Sequence, residues 1–558
     1  MRNLIFAFLI AVSFSQLSAQ LATGLESNEL LDSLPRVDGM LQNYDANFNK
    51  DLYINYTLLA PNQQGMKQKV AEIKEDGSFK IVVDEPLPYQ KIILNIGDFY
   101  KCNIIANQDV KVAIDINEVG KKHDNFDNKG LFFSGTDAGL NQFYNEYVEY
   151  KLDKKLDVRR RKYSAIINRT SQTDFKVRQI RDFYTELEKI EATFTRKKGK
   201  EYKWLLENER NSELYGDLVS IFIGKTMNGK LWEECLSHQP AMVSELSNRY
   251  YGILTSKLWS HEEKEIRSLS RMIFKADVED PEEKKQVDLF LVEQDKKKAG
   301  VPYDKDIYQQ GLEDYINKYE NQLADAKLNL FAEKLAQIPE TKIGLVAMKG
   351  QPTVAADKER YLETVLPLIN VSWQKEKLIR DDKNNQDWVS AISEHMIAER
   401  VENSDPTLGE FQEYLVSGAG TWYAKANNVQ ELLGQIRNFY KGKSVVIFIW
   451  DTSCEACIEE LTRSGVSYDR ITSQPIDILT LALDRKSSRA LWKDKLAKTF
   501  AKGEHIYLDK KLSSEIFEYF QLPPVPSYIY FDNEGNFVPF KVSSISGLDV
   551  DEVLETDG

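Results

Sequence analysis

The chain has few cysteines and histidines, and it lacks long apolar runs beyond its N-terminal segment. Its 558 residues include only 4 cysteines and 5 histidines. So few cysteines exclude a disulfide-dense scaffold, and the histidines do not form the HExxH pattern of a zinc protease. Beyond the N-terminal segment, no apolar run approaches the roughly 20 residues that a membrane helix needs. The sequence therefore predicts no membrane span once that segment is removed.

Positive charges are fewer than negative ones. The 73 lysines and arginines are outnumbered by 87 aspartates and glutamates, which gives a formal net charge of -14. This balance argues against nucleic acid as a partner. The hydrophobic content of 42% and the charged content of 29% are typical of a folded globular protein. The length predicts about three or four domains.

The N-terminus has the pattern of a secretory signal peptide. Arg2 precedes an apolar run from Leu4 to Phe14, and small residues lie just before Gln20. We predict a signal peptide over residues 1–19 and a mature protein that is soluble and exported to the periplasm. No cysteine follows the run, so a lipid anchor there is not expected. In an oxidising compartment, closely spaced cysteines are less typical of metal binding.

The periodicity of apolar residues changes along the chain. Residues 35–135 alternate with a period of two, with Asp76-Gly77 as a hairpin signal, which predicts an antiparallel β-sandwich-like domain. Residues 140–403 have a period of about 3.6 and predict a central all-α region. Residues 404–426 are interpreted as a linker. In residues 427–558, strands alternate with helices before a terminal hairpin, which predicts an α/β fold with a mixed sheet.

Two cysteines follow an apolar strand in "VVIFIWDTSCEAC", residues 445–457. A helix that begins near Cys454 stabilises the thiolate there, and the thiolate is the nucleophile of disulfide exchange. Cys457, one turn later, is positioned to resolve the mixed disulfide. A structural disulfide, a degenerate redox site and a metal site remain alternatives. These two cysteines are the predicted catalytic residues.

This stretch, together with "LALDRKSSRALW" (481–492) and "LPPVPSYIYFDNEGNF" (522–537), resembles the thioredoxin-fold domain of exported TlpA-like thiol-disulfide oxidoreductases. Asp484 and Trp492 match the family's middle segment. "EIKEDGSF" and "FSGTDAGLN" resemble the small β-domain that precedes such domains in Bacteroidota. The resemblance implies that Pro526 is cis, that it packs against the cysteines, and that the Val525 backbone pairs with an extended substrate. Val525, Pro526 and Trp450 are the predicted substrate-binding residues.

The site departs from the family pattern. Ser453 replaces the usual Trp, and Phe448 occupies the position of the acid that thioredoxins bury beneath the disulfide. One carboxylate about 7 Å away raises the cost of a thiolate by about 0.6 kcal/mol in water. A helix N-terminus returns roughly 0.3 to 1 kcal/mol. The two effects nearly cancel, so the Cys454 thiolate is not expected to be strongly stabilised. A poorly stabilised thiolate makes the reduced form less stable. We therefore expect a reduction potential nearer that of thioredoxin, about -270 mV, than that of a strong oxidant. The acids near the cysteines are Asp451, Glu455, Glu459 and Glu460.

Two functions fit the sequence. The first is an oxidoreductase that reduces or isomerises protein disulfides, needs no cofactor or metal, and receives electrons from a membrane donor such as a thiol reductase. The second is a redox-inactive scaffold that binds an envelope partner through its β-domain edge or its helical surface. Cys102 and Cys235 are interpreted as buried apolar residues, although a disulfide between them stays open. His238, one turn after Cys235, completes at best half a metal site, and His505 is interpreted as structural.

Overall fold

A computed structural model describes most of the chain beyond residue 23. The described residues are 24–554 except 50–51, 63–65, 98, 121–127, 261–279, 312–319, 353–354, 399–406, 416, 453, 484–488, 523–524, 540 and 549. The predicted signal peptide, Ser453 and Asp484 lie outside them. The chain divides into two compact units. The first comprises Met1–Leu30, Pro61–Gln63 and Val158–Lys375, and the second comprises Leu31–Ala60, Gln64–Asp157 and Glu376–Gly558.

The N-terminal part of the second unit is built from two four-stranded sheets, of order β4-β1-β7-β8 and β3-β2-β5-β6. The strands are β1 Arg36–Gln42, β2 Ile54–Leu59, β3 Met66–Ala71, β4 Ser78–Ile81, β5 Gln90–Ile96, β6 Tyr100–Ala106, β7 Asp109–Asp115 and β8 Leu131–Ser134. Strand β1 alternates buried and exposed residues, as its sequence predicts. The inward residues of both sheets share one apolar core.

Two details of the predicted β-domain are wrong. Strands β1 and β7 pair in parallel, so the domain is not purely antiparallel. The Asp76-Gly77 turn forms with Gly77 at φ 80°, where an added Cβ would lie 2.7 Å from the Leu41 carbonyl oxygen. However, the strands on either side of it enter different sheets, because β4 pairs with β1 whereas β3 pairs with β2. The local turn signal was correct, but it does not determine which strands pair.

Helix α1, Ala138–Asp153, covers the edge strand β6 with side-chain amides. Asn141 accepts a hydrogen bond from the Ile105 amide at 2.7 Å and donates to the Ile105 carbonyl at 2.9 Å. Asn145 repeats both contacts with Asn103 at 3.0 and 2.7 Å. Residues four apart lie on one helix face, and alternate residues of a strand point their backbone groups to one side. This amide ladder therefore satisfies the backbone groups that an edge strand leaves unpaired.

The first unit is helical in its described part. Helix α2 spans Leu156–Asn168. The helices after it are α3 Thr173–Lys198, α4 Lys203–Ser220, α5 Gly229–Ser237, α6 Glu245–Trp259, α7 Pro281–Lys298, α8 Lys305–Gly311, α9 Glu320–Leu335, α10 Glu340–Gly350 and α11 Ala355–Val365. The long helix α12, Ser372–Ala398, follows. In α3 the buried residues include Ile180, Tyr184 and Phe194, spaced by multiples of about 3.6 as expected of an amphipathic helix.

A buried ion pair lies inside this helical unit. The fully buried Lys342 of α10 donates to the carboxylate of Glu26 and, at 2.6 Å, to the His238 carbonyl oxygen. Tyr251 and Thr341 donate to the same carboxylate at 3.0 and 2.9 Å. Burial lowers the pKa of Lys342, and the attraction of Glu26 opposes that change. The segment around Glu26 is thus fixed within the helical unit by charge as well as by packing.

The C-terminal part of the second unit has a six-stranded sheet of order β14-β11-β12-β13-β10-β9. Its strands are β9 Glu410–Tyr414, β10 Ala419–Tyr423, β11 Ser444–Trp450, β12 Ile476–Ala482, β13 Gly503–Tyr507 and β14 Ser527–Phe531. Its helices are α13 Val429–Phe439, α14 Glu455–Thr472, α15 Arg489–Lys498, α16 Lys510–Tyr519 and α17 Val550–Leu554. The predicted mixed sheet is confirmed, because β11, β12 and β13 are parallel while β14 is antiparallel to β11.

Strand β11 is buried along its whole length because the sheet is covered on both faces. Val445, Ile447 and Ile449 enter one apolar core. The alternate residues Val446, Phe448 and Trp450 enter the other core, which also contains Cys457. The unbroken apolar run of the sequence therefore encodes a central strand rather than a helix.

One boundary of the predicted α/β region is wrong, and one predicted element is incomplete. Residues 404–426, interpreted as a linker, contain β9 and β10, and β10 pairs in parallel with β13. The predicted terminal hairpin forms only in part. After β14 the chain turns through Asp532 and Gly535, but its return is limited to an isolated bridge between Phe531 and Phe537. No helix among the described residues has the length and apolarity to cross a bilayer.

Candidate active site

The two predicted catalytic cysteines form a disulfide where β11 gives way to α14. Their Cα atoms are 5.2 Å apart. Cys454 is the N-cap of α14, and its Sγ accepts a hydrogen bond from the Cys457 amide at 3.1 Å. Cys454 is half-buried, whereas Cys457 has no exposed surface. This asymmetry makes Cys454 the sulfur that another molecule reaches, and its position at the helix N-terminus favours its thiolate.

The peptide bond between Val525 and Pro526 is cis, as the resemblance implied. The carbonyl oxygen of Val525 lies 3.8 Å from the Cys454 Sγ, and both residues are half-buried. Pro526 immediately precedes β14, which pairs with β11 in antiparallel orientation. The structure therefore brings Val525 and Pro526 to Cys454, although they are about 70 positions away, with a backbone acceptor beside the accessible sulfur.

The third predicted substrate-binding residue, Trp450, does not fit that role. Its side chain is fully buried in the core that includes Cys457. Since it has no exposed surface, it cannot touch a substrate. Trp492, which matched the family segment, is equally buried in this core.

Glu460, one of the acids close to the cysteines in sequence, has a structural role. Glu460 of α14 accepts hydrogen bonds from the Ile545 and Ser546 amides at 2.6 and 2.9 Å. The hydroxyls of Ser544 and Ser546 donate to it as well, both at 2.9 Å. Burial raises the pKa of Glu460, but the hydrogen bonds outweigh it and leave the pKa below the usual range. Nothing in the local sequence identifies these partners, since they lie more than 80 positions later.

The acidic character of the site is weaker than the sequence suggested. Glu460 is turned into its hydrogen bonds with the 544–546 segment, and Glu459 forms an ion pair with Arg463. Glu455, next to Cys454, is exposed. Phe448, in the core that contains Cys457, stacks on Tyr528 with ring centroids 5.3 Å apart. Aromatic packing therefore fills the position for which the resemblance implied a departure from the buried acid of thioredoxins.

The other two cysteines are free and buried, so the disulfide that the sequence left open does not form. Burial raises the pKa of both Cys102 and Cys235 to about 12, which makes them poor nucleophiles. His238 does not combine with Cys235 as a ligand pair. Its Nε2 is hydrogen-bonded to the Ser212 hydroxyl at 2.9 Å. Within the described ranges, no group of three or more potential ligands could hold a metal ion.

His505 provides a test of the interior of this domain. Its Nε2 is in contact with the Lys502 carbonyl oxygen at 3.2 Å and its Nδ1 with the Thr480 hydroxyl, an arrangement that suits a neutral ring. Burial lowers the pKa of His505 to about 4, and the bond to Lys502 opposes that change. As the pH falls, the unfolded chain protonates this histidine before the folded protein does. The contribution of His505 to the free energy of unfolding is therefore fully present above about pH 6.5 and is lost at about 1.4 kcal/mol for each pH unit towards pH 4.

Hydrogen exchange at β12 and β13, which carry Thr480 and His505, measures this loss locally in the full protein at pH 7 and pH 4.5. A His505→Gln variant should have a flatter pH dependence than the wild type. Equal pH dependences in the two proteins would show that His505 does not titrate in this way.

Comparisons with known proteins show likeness to solved structures only. No family model matches the chain, and no curated protein matches it. The thioredoxin domain of a thiol-disulfide oxidoreductase from Bacteroides vulgatus is 23% identical, with 21% of this chain and 79% of that one covered and a TM-score of 0.18. A secreted disulfide oxidoreductase from Mycobacterium tuberculosis is 14% identical (21% and 84% covered, TM-score 0.17). A thioredoxin-like protein from Bacteroides caccae is 13% identical (45% and 84% covered, TM-score 0.24).

Proposed function

We propose that the chain is an exported thiol-disulfide oxidoreductase that acts on protein disulfides as a reductant or isomerase. One observation carries the proposal: Cys454 lies half-exposed at a helix N-terminus, paired with a fully buried Cys457 and facing the Val525 carbonyl. A purely structural disulfide has no need of this asymmetry. The reaction requires neither metal nor cofactor, because the two sulfurs carry both electrons.

The reaction follows from the geometry. In the reduced protein, the Cys454 thiolate attacks one sulfur of a client disulfide, and the other client sulfur leaves as a thiolate that takes up a proton. Cys457 then loses its proton, attacks the Cys454 sulfur and releases the second client thiol. The client has gained two electrons and two protons, and the Cys454–Cys457 disulfide has formed. An extended client segment can donate a backbone N–H to the Val525 carbonyl during the attack.

The proposed setting is the periplasm, with a membrane thiol reductase supplying electrons to the oxidised pair. The predicted signal peptide motivates this setting. A soluble dithiol in an oxidising compartment needs such a donor to act repeatedly as a reductant. Export can be tested by expressing the full chain and locating the protein after fractionation of the cells. Retention of residues 1–19 in the mature protein would contradict this part of the proposal.

Two contacts weigh against one form of the alternative, a redox-inactive scaffold that binds a partner strand at an edge of the β3-β2-β5-β6 sheet. One edge of the β3-β2-β5-β6 sheet is already occupied by the amides of Asn141 and Asn145. The other edge, β3, packs against α16. A partner strand would have to displace these contacts before pairing.

The reduction potential of the Cys454–Cys457 pair tests the proposal directly. We expect a reversible two-electron transition between about -220 and -300 mV in glutathione or dithiothreitol buffers. Free thiols are trapped by alkylation and counted by mass spectrometry, with buried Cys102 and Cys235 as internal references. A pair that resists reduction in the folded protein would favour the scaffold. A potential more positive than about -180 mV would make the protein an oxidant instead.

A further inference from the structure

The surface next to Cys454 has an apolar side and a charged side. On the apolar side, Ile458 and Val525 are half-buried and pack, like Cys454, against the core that contains Cys457. On the charged side, the side chain of Glu455 projects from the first turn of α14 and is exposed. Glu455 is thus the residue next to the sulfur that a client disulfide would reach.

Glu455 differs from the next acid along the helix. Glu459 is neutralised locally by its ion pair with Arg463. Among the residues that the structure describes, Glu455 has neither an ion pair nor a hydrogen bond, so its charge is directed to solvent and to an incoming molecule. The Val525 carbonyl adds the negative end of a dipole 3.8 Å from the Cys454 sulfur. Both groups favour positive charge on whatever docks there.

We propose that Glu455 is a specificity-determining residue, which makes Cys454 react faster with disulfides on positively charged segments than with anionic disulfides such as that of glutathione. This inference rests on the proposed oxidoreductase function. The preferred client is an extended, cationic protein segment, with apolar residues on the side of Ile458 and Val525. Glutathione disulfide, with a net negative charge on each half, is disfavoured.

Coulomb's law gives the size of the effect. A carboxylate about 7 Å from a charge on the client changes the rate of attack by roughly threefold per unit charge in water. A change from a cationic to an anionic client therefore gives a contrast of roughly three- to tenfold. Exposed charges are screened by salt, so the contrast should nearly vanish at 1 M salt, where the Debye length is about 3 Å.

Three small disulfides of different charge provide the probes: cystamine, which is cationic, 2-hydroxyethyl disulfide, which is neutral, and glutathione disulfide. The full mature protein is reduced, freed of reductant and mixed with each probe. Each reaction consumes one probe disulfide, forms the Cys454–Cys457 disulfide and releases two thiols. The second-order rate constants for cystamine and glutathione disulfide are divided by that for the neutral probe. The comparison between wild type and Glu455→Gln then cancels the intrinsic reactivity of each probe.

We expect the cystamine-to-glutathione ratio to fall three- to tenfold in the Glu455→Gln variant. The matched control Glu459→Gln should change the ratio less, because its carboxylate is one turn further away and already paired. If all three probes oxidise the protein but the ratio is the same with and without Glu455, the inference is overturned and the oxidoreductase function stands. If the neutral probe fails to oxidise the protein at all, the proposed function itself fails, and this inference with it.

Discussion

Replacement of Cys457 by serine should stop catalysis after one step and leave the client attached to Cys454. Cys457 is the buried partner of the disulfide, and the other two cysteines are free and buried in β6 and α5. Without Cys457, no thiol of the described chain is placed to attack the mixed disulfide. We expect turnover to fall below detection while about one client molecule per protein accumulates, visible as a mass increase on a non-reducing gel or by mass spectrometry.

Two further variants make this result specific. Cys454→Ser should lose both turnover and the trapped adduct, because the proposed nucleophile is missing. Cys235→Ala removes a buried thiol from α5 and should retain turnover. Turnover of Cys457→Ser at the wild-type rate would contradict the assigned roles, and so would an adduct that forms on the Cys454→Ser variant.

Replacement of Glu26 by glutamine should destabilise the helical unit by about 3 to 5 kcal/mol, the usual cost of removing one member of a buried ion pair. Lys342 is fully buried, and Glu26 is its carboxylate partner. Burial already lowers the pKa of Lys342, so loss of the partner should lower it further. Hydrogen exchange at α6 and α10 reports this locally, which matters because a chain of several domains has no single unfolding transition.

A double variant separates lost charge balance from lost packing. Glu26→Gln combined with Lys342→Met removes both charges and should recover much of the lost protection. Glu207→Gln breaks the exposed pair with Lys203 and should change little, because solvent screens such pairs. A double variant no more stable than Glu26→Gln alone would show that the uncompensated Lys342 charge is not the cause.

The parts of the site that could be predicted are those encoded by neighbouring residues in the chain. The strand that ends at Trp450 and the helix that begins after Cys454 are local patterns, and both are confirmed. The cis bond before Pro526 was accessible only through a family resemblance, since X-Pro bonds are mostly trans. By contrast, the substrate-binding role predicted for Trp450 is wrong. The residue ends the central strand β11, and its side chain enters a buried core, a direction that the residue type alone does not reveal.

Contacts between distant residues explain what the sequence could not give. Glu26 and Lys342 are 316 positions apart, and Glu460 receives hydrogen bonds from residues 84 to 86 positions later. Neither pair leaves a periodic signal. Strands β9 and β10 were missed because Gly418 and Gly420 resemble linker composition. Their strand character arises from pairing of β10 with β13, which is supplied by a later part of the chain.

The positions of the free cysteines also matter for the biogenesis of the protein. Cys102 is enclosed by strands that all precede residue 135, and Cys235 lies in a helix well before the Cys454–Cys457 disulfide. As the chain emerges from its N-terminus, both thiols can be sequestered before Cys454 and Cys457 appear. If both segments fold in this order, Cys454 and Cys457 are the accessible thiols left in a sequence of four cysteines, which limits mispairing. Delayed folding of either early segment would remove that protection and should yield scrambled disulfides.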